Sequence, residues 1–86
     1  MPNLPTQRTR IKICGITREE DLRAAVELGA DALGFVFYPP SPRFLSDVRA
    51  TELARGMPPF VTLIGLFVNE DAATVHRILK QVPLQL

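Results

Sequence analysis

The sequence predicts an α/β fold with a parallel sheet, and two observations support this prediction. Three short apolar segments, rich in β-branched and aromatic residues, alternate with three amphipathic segments of helical periodicity. Glycine, proline or polar residues separate the segments, as is typical of turns. Because strands that alternate with helices pair in parallel through right-handed crossovers, this order implies a parallel sheet covered by helices.

Composition places the chain among small globular proteins. Its 86 residues are 47% hydrophobic and 22% charged, with a formal net charge of +1. The mixed charges provide no basic surface for nucleic acid, and no apolar run reaches the roughly 18 residues of a membrane span. We therefore predict a cytoplasmic protein that binds neither nucleic acid nor membrane. One cysteine and one histidine exclude an internal disulfide and a multi-cysteine zinc site, and we predict no metal and no cofactor.

The chain begins with a segment that shows no periodicity. Residues 1–9 contain two prolines, so we predict a flexible leader ahead of a single domain at 10–86. The first strand is expected at about 10–14, where two isoleucines alternate with a lysine and a cysteine.

A first helix and a second strand follow. Thr17 and Glu20 form the pattern of a capping box at the start of this helix, and Gly29 is placed to end it in a left-handed conformation. The nearly continuous apolar run at 31–37 predicts a strand that is buried on both faces.

The remaining elements repeat the same unit. After a stiff loop with three prolines, Ser46 is expected to cap a second helix. The apolar run at 60–68 predicts a third strand, and Asn69 is expected to cap a third helix that Pro83 ends. Residues 84–86 would begin a fourth strand.

Lys12 and Cys14 are predicted to share one face of the first strand, since successive side chains alternate. If the isoleucines pack against the first helix, this face points away from the helices, into the interior if the sheet closes into a barrel. Gly15 allows a ligand to approach closely, and the next helix directs its positive end toward the same loop. These features favour the thiolate, so Cys14 is a candidate base and Lys12 a candidate for tuning the thiol. The alternatives are a solvated or paired lysine and a cysteine that acts only as a small hydrophobe.

Arg43 is the second candidate binding residue. It lies on the loop that leaves the second strand, and therefore at the same end of the sheet as Cys14. Its planar guanidinium suits a carboxylate or a phosphate, and the neighbouring prolines reduce the entropy lost in holding it still. A solubilising surface charge is the alternative.

Four blocks of the sequence together indicate a family. They are, in order, Lys12-Ile13-Cys14-Gly15-Ile16-Thr17, Gly29-Ala30-Asp31-Ala32-Leu33-Gly34-Phe35-Val36-Phe37, Ser41-Pro42-Arg43 and Gly65-Leu66-Phe67-Val68-Asn69. The blocks resemble, in the same order, those of phosphoribosylanthranilate isomerase of tryptophan biosynthesis. This family folds as a (β/α)8 TIM barrel. The resemblance implies that the chain is the N-terminal part of such a barrel, with about three βα units, parallel strands and the start of a fourth strand.

The resemblance also implies a reaction and residue roles. The full-length enzyme would convert N-(5-phosphoribosyl)anthranilate to 1-(2-carboxyphenylamino)-1-deoxyribulose 5-phosphate by an Amadori rearrangement. Cys14 is implied to be the general base that removes the C2′ proton of the ring-opened sugar, and Arg43 to hold the anthranilate end of this phosphorylated small molecule. The family's general acid, an aspartate, and its phosphate-binding loops lie outside these residues. We therefore expect the 86-residue fragment alone to be inactive.

Two alternatives stay open. Three strands on their own would leave sheet edges and one apolar face uncovered, which favours self-association or pairing with the missing C-terminal part. A non-catalytic half-barrel that serves in assembly or binding is therefore one alternative. The related indole-glycerol-phosphate synthase is another, although its lysine and glutamate pattern is not evident here.

Overall fold

Three βα units form one parallel sheet in a computed structural model that describes residues 9–85. The elements are β1 (Lys12–Cys14), α1 (Glu19–Glu27), β2 (Ala32–Val36), α2 (Asp47–Ala54), β3 (Thr62–Leu66) and α3 (Ala72–Gln81). The strand order is β1-β2-β3, with Lys12 opposite Ala32 and Ala32 opposite Thr62. The predicted repetition of βα units with parallel strands is confirmed. Apart from Thr9, the predicted leader lies outside the described residues.

The hydrogen-bonded strands are shorter than the apolar runs that predicted them. The third run begins at residue 60, but β3 begins at Thr62. Before it, the Val61 N–H donates to the Pro58 carbonyl at 3.4 Å, so the chain turns here instead of pairing. Phe60 is accordingly 95% exposed. Apolar character therefore marks the strands but not their ends, because loop residues also carry large apolar side chains.

One face of the sheet packs against all three helices. Leu33 and Phe35 of β2 are fully buried on this side, and Leu63 of β3 is only 2% exposed. The helices and adjoining loops contribute the rest of a single core: Ile16, Leu22, Ala25, Ala30, Phe37, Leu45, Ala50, Leu53, Ala54, Ile78 and Val82. Each fully buried Leu, Ile, Val or Phe side chain contributes about 1.5 to 3 kcal/mol. The described part of the chain is therefore stabilised from one side of the sheet.

The start of α1 differs from the prediction. The capping box between Thr17 and Glu20 does not form: α1 begins at Glu19, and its N-cap is Arg18, which makes no capping side-chain hydrogen bond. The carbonyl of Thr17 instead accepts a hydrogen bond from Arg49 at 3.4 Å, and the same arginine binds Glu19. These tertiary contacts compete with the local cap that the sequence pattern favours.

The other two helix starts are each capped by a side chain. Ser46 accepts a hydrogen bond from the Arg49 N–H at 3.1 Å, which confirms the predicted cap of α2. The expected cap of α3 at Asn69 is wrong, because Asn69 has a left-handed φ of 52° whereas a cap needs an extended backbone. Asp71 caps α3 by accepting a hydrogen bond from the Thr74 N–H at 2.8 Å, and this bond lowers the pKa of Asp71. Within residues 9–85, none of the helices combines the length and apolarity that crossing a membrane requires.

Among the described residues after α3 none belongs to a strand, but Gln85 lies beside β3. The backbone N–H of Gln85 donates to the carbonyl of Leu63 at 2.8 Å, and the Leu63 N–H donates to Oε1 of Gln85 at 2.8 Å. The far edge of β3, which the sequence led us to expect unpaired, is therefore partly occupied.

Candidate active site

Lys12 and Cys14 project from the face of the sheet that lies opposite the helices. Cys14 pairs with Gly34 of β2. A Cβ atom built on Gly34 would lie 2.9 Å from Sγ of Cys14 and 3.2 Å from Cε of Lys12. The two side chains thus converge above the bare backbone of Gly34, on the common face that strand alternation predicts. Cys14 is a free, exposed thiol.

The chain turns immediately after this thiol. Gly15 has a φ of 85°, in the left-handed region that glycine tolerates best. Its N–H donates to the carbonyl of Gly34 at 3.0 Å, and the Ile16 N–H approaches the same oxygen at 3.3 Å. One carbonyl of β2 therefore holds the backbone that follows Cys14.

The loop after β2 is folded back along the end of its own strand. Phe44 forms a parallel bridge with Val36, and the Leu45 N–H donates to the Val36 carbonyl at 2.8 Å. Within the loop, Oγ of Ser41 accepts a hydrogen bond from the Arg43 N–H at 3.1 Å, and the Ser41 carbonyl accepts one from Phe44 at 3.1 Å. These bonds hold the backbone of Arg43 on both sides.

This loop brings Arg43 against the residue that follows Cys14. A Cβ atom on Gly15 would overlap Cδ of Arg43 and would lie 3.1 Å from its Nε and 3.4 Å from its Cγ. The aliphatic part of Arg43 therefore lies directly on Gly15, while the residue as a whole stays exposed. The sequence predicts that Arg43 and Cys14 lie at the same end of the sheet. In the structure, Arg43 lies against Gly15, the residue that follows Cys14.

Arg49 ties α2 to the loop that follows Cys14. Its Nη1 and Nη2 each lie 2.6 Å from a carboxylate oxygen of Glu19, and Nη2 also donates to the carbonyl of Thr17. This hydrogen-bonded pair lowers the pKa of Glu19 to about 2 and raises the pKa of Arg49. Because 30 residues separate the two partners, no local pattern in the sequence indicates their contact.

The first turn of α1 is acidic, which bears on the predicted effect of this helix on Cys14. The helix was predicted to direct its positive end at Cys14. Its first turn carries Glu19, Glu20 and Asp21, whose carboxylates offset the positive end of the helix. Lys12 is a cationic residue that shares the face of the thiol, and its Cε borders the same space above Gly34.

Gly34 also belongs to this arrangement, although it is not among the site residues that the sequence predicts. A signal for it exists, because a glycine inside an apolar strand often marks a close approach of other atoms. Its carbonyl binds the turn after Cys14, and its missing side chain leaves room for the thiol.

An apolar groove of about 450 Å³ runs between β1 and α1. Its apolar lining includes Ile11, Ile13, Ala25, Leu28 and Ala30, and Cys14 and Gly15 border it at one end of β1. The two isoleucines are 46% and 39% exposed, so they contact α1 only in part. Cys14 borders this groove, but its Sγ lies over Gly34 on the opposite face of the sheet, so the groove does not enclose the thiol. Among residues 9–85, no three potential metal ligands of the His, Cys, Asp or Glu type come together.

Comparison with known sequences gives a consistent result along almost the whole chain. A family model described as N-(5'-phosphoribosyl)anthranilate (PRA) isomerase matches residues 11–86. A curated relative from Ralstonia nicotianae, named N-(5'-phosphoribosyl)anthranilate isomerase, is 60% identical over 83 residues. The match covers 96% of this chain and 36% of the relative. The chain thus spans little more than a third of that relative's length.

Solved structures agree with the sequence comparison. A crystal structure of phosphoribosyl anthranilate isomerase in complex with reduced 1-(o-carboxyphenylamino)-1-deoxyribulose 5-phosphate has a TM-score of 0.86 at 47% identity, covering 90% of this chain and 40% of that one. Monomers generated from the dimeric enzyme of Thermotoga maritima give a TM-score of 0.84 at 43% identity, covering 90% and 39%. The three βα units are therefore the N-terminal part of a TIM barrel, as the sequence predicts.

Proposed function

The chain belongs to the N-(5'-phosphoribosyl)anthranilate isomerase family, and on this basis we propose that it supplies the first three βα units of that isomerase in tryptophan biosynthesis. The reaction is the Amadori rearrangement of N-(5-phosphoribosyl)anthranilate to 1-(2-carboxyphenylamino)-1-deoxyribulose 5-phosphate. The observation that carries the proposal is the meeting of Arg43 with Gly15, next to Cys14, at the carboxyl end of β1. TIM barrels present their chemistry at this end of the sheet.

Cys14 acts as the general base in this proposal. Its thiolate sulfur takes the proton from C2′ of the ring-opened, protonated imine. The electron pair of the C2′–H bond forms the C1′–C2′ double bond, and the electrons of the C1′–N double bond pass to nitrogen. The resulting enolamine then tautomerises to the ketone product. The thiol is exposed on the face that a barrel would enclose, and such a proton transfer contributes about 10² to 10⁴-fold to the rate.

Arg43 binds the carboxylate of the anthranilate ring. A guanidinium holds a carboxylate through two parallel hydrogen bonds, which fix its orientation as well as its position. The stem of Arg43 lies on Gly15, the residue that follows the proposed base. The guanidinium therefore begins at the same end of β1 as Cys14. The solved relative holds a compound that carries both an o-carboxyphenylamino group and a 5-phosphate, which is the class of ligand that this arrangement would take.

Lys12 is proposed to favour the thiolate of Cys14. Its Cε lies close to the space above Gly34 that Sγ of Cys14 also borders. A nearby positive charge stabilises a thiolate. A solvated lysine with no effect on the thiol is the alternative, since Lys12 is exposed.

The remaining part of the barrel is the proposed partner of these residues. The chain spans 36% of the Ralstonia nicotianae relative, and Lys12 and Cys14 are exposed on the face that a complete barrel would enclose. We therefore propose that residues 1–86 alone do not turn over the substrate. Self-association is a second proposed contact, since a related isomerase is described as dimeric. A cytoplasmic location remains our prediction.

A chimeric enzyme tests the proposed function. Residues 1–86 replace the matched segment of the Ralstonia nicotianae isomerase, and kcat and KM are measured for phosphoribosylanthranilate. We expect turnover, and Cys14→Ala should lower kcat by about 10² to 10⁴-fold with little change in KM. Arg43→Ala should mainly raise KM. A folded Cys14→Ala chimera with the full kcat would show that Cys14 is not the base.

A non-catalytic assembly module is the alternative function. The exposure of Leu66 (43%) and Val68 (40%), together with the groove beside β1, favours association of this sheet with another chain. Mixing the 86-residue polypeptide with the rest of the Ralstonia barrel separates the two functions. Restored isomerase activity supports the enzyme, whereas a stable homo-oligomer that never restores activity supports the assembly module.

A further inference from the structure

We propose that Gly15 is a positioning residue: because it has no side chain, Arg43 can pack directly on its backbone, and we call this packing surface the seat of Arg43. The same glycine would then set the direction of the chain after the base and the location of the guanidinium that binds the substrate. This inference rests on the proposed roles of Cys14 and Arg43.

The steric observation is direct. A Cβ on Gly15 would overlap Cδ of Arg43, and Nε and Cγ would lie only 3.1 and 3.4 Å away. All three atoms belong to one side chain, so this contact concerns Arg43 alone. A residue with a Cβ at position 15 would therefore clash with the side chain of Arg43 in its present position.

Arg43 can relieve such a clash by moving its side chain, because the backbone of its loop is held by hydrogen bonds. Its N–H is bound to Ser41, and the following residues are bonded to the end of β2 through Phe44, Leu45 and Val36. The backbone therefore cannot retreat without losing several hydrogen bonds. The exposed side chain can swing away at little cost, and the guanidinium would then leave the end of β1.

Gly29 provides a matched control for backbone strain. Gly15 and Gly29 have similar left-handed φ values of 85° and 93°. A Cβ on Gly29 would meet nothing within 4 Å, whereas a Cβ on Gly15 would meet Arg43. Alanine at either position suffers comparable backbone strain, so the difference between the two variants isolates the contact with Arg43.

The chimeric enzyme is the protein to test, with the variants Gly15→Ala, Gly29→Ala, Arg43→Ala and the double variant Gly15→Ala/Arg43→Ala. We expect Gly15→Ala to raise KM on the order of tenfold more than Gly29→Ala, because a charge-assisted hydrogen-bonded contact with the substrate is displaced. The two glycine variants should have similar Tm values. In the Arg43→Ala background, Gly15→Ala should cause no further increase in KM.

The outcomes separate this inference from the proposed function. Equal KM values for Gly15→Ala and Gly29→Ala would refute the seat and leave the roles of Cys14 and Arg43 intact. An unchanged KM in Arg43→Ala would refute the binding role and the seat with it. If Gly15→Ala does not fold, the double variant decides: recovery of the Tm of Gly29→Ala supports the seat, and continued misfolding refutes it.

Discussion

Cys14 and Gly34 are partners in the β1–β2 ladder, and the thiol occupies the space that a side chain at position 34 would need. The distance from Sγ to a Cβ built on Gly34 is 2.9 Å, shorter than such contacts in real structures. Since Gly34 lies within a regular strand, alanine suits its backbone. The obstacles to a side chain here are therefore the thiol, the neighbouring stem of Lys12 and the Cα of Cys14, which would lie 3.3 Å away.

Gly34→Ala should displace the thiol of Cys14, the proposed base, without unfolding the sheet. We expect kcat of the chimeric enzyme to fall about tenfold to a hundredfold, because a displacement of about 1 Å at a reacting group costs up to about 10² in rate. Gly56→Ala is the control, since a Cβ there would make only ordinary contacts of 3.6 and 3.7 Å. Full turnover in Gly34→Ala would show that the thiol does not need this space.

Lys12→Met should make Cys14 less reactive. If Lys12 acts as proposed, removing its charge from the face that carries the thiol disfavours the thiolate, and we expect alkylation of Cys14 in the chimeric enzyme by iodoacetamide at neutral pH to slow about fivefold. Lys80→Met serves as the control, because Lys80 lies in the last turn of α3. If both variants react at the unsubstituted rate, Lys12 is a solvated lysine and nothing more.

Two substitutions that look alike in the sequence should differ in their effect on stability. Ser46→Ala removes the observed cap of α2, which costs about 1 kcal/mol, or about 2 to 4 °C in Tm for a barrel of this size. Thr17→Ala removes a hydroxyl that caps nothing in α1 and should change Tm by less. Thermal unfolding of both chimeras measures the difference. A larger loss in Thr17→Ala would contradict the observed start of α1.

The pair of Glu19 and Arg49 should make stability depend on acid pH. The pKa of Glu19 is lowered from an ordinary value of 4.5 to about 2, mainly by its hydrogen bond to Arg49. Because the pKa of Glu19 is lower in the folded state than in the unfolded state, its ionisation stabilises the fold at pH values above about 4.5. This contribution is lost as the pH falls toward 2. The Tm of the chimera should exceed that of Glu19→Gln at pH 7, and the gap should close between about pH 4.5 and 2.

Salt provides the control for this pair. Both side chains are partly exposed, at 53% for Glu19 and 36% for Arg49, so the gap at pH 7 should narrow in 1 M NaCl. A gap that is independent of both pH and salt would mean that the glutamate stabilises α1 by some other route.

The alternation of apolar segments was sufficient to predict the order and type of all six elements, because each period depends only on neighbouring residues. Helix starts were less predictable. The local pattern at Thr17 and Glu20 is a sound capping box, but Arg49 binds Glu19 and Thr17 from 30 and 32 residues away. Such competition between local and distant partners is invisible without the fold.

In the candidate site, too, local sequence patterns predict some features, whereas others depend on contacts between distant residues. Strand alternation placed Lys12 and Cys14 on one face, and the position of Arg43 after a strand placed it at the same end. The contact between Gly15 and Arg43 depends on how the loop folds back, and the pairing of Cys14 with Gly34 depends on strand register. Register depends on how two strands pair, so it cannot be predicted from the residue pattern of either strand alone.

The strand order β1-β2-β3 also bears on how the protein folds. Paired residues are only 20 positions apart in the pair Lys12 and Ala32, and 30 apart in the pair Ala32 and Thr62. Contacts of short sequence separation form early, since the entropy cost of closing a loop grows with its length. The first βαβ segment can therefore bring Cys14 to Gly34 before the rest of the sheet has formed. In kinetic terms, we expect the geometry around the thiol to belong to the folding nucleus.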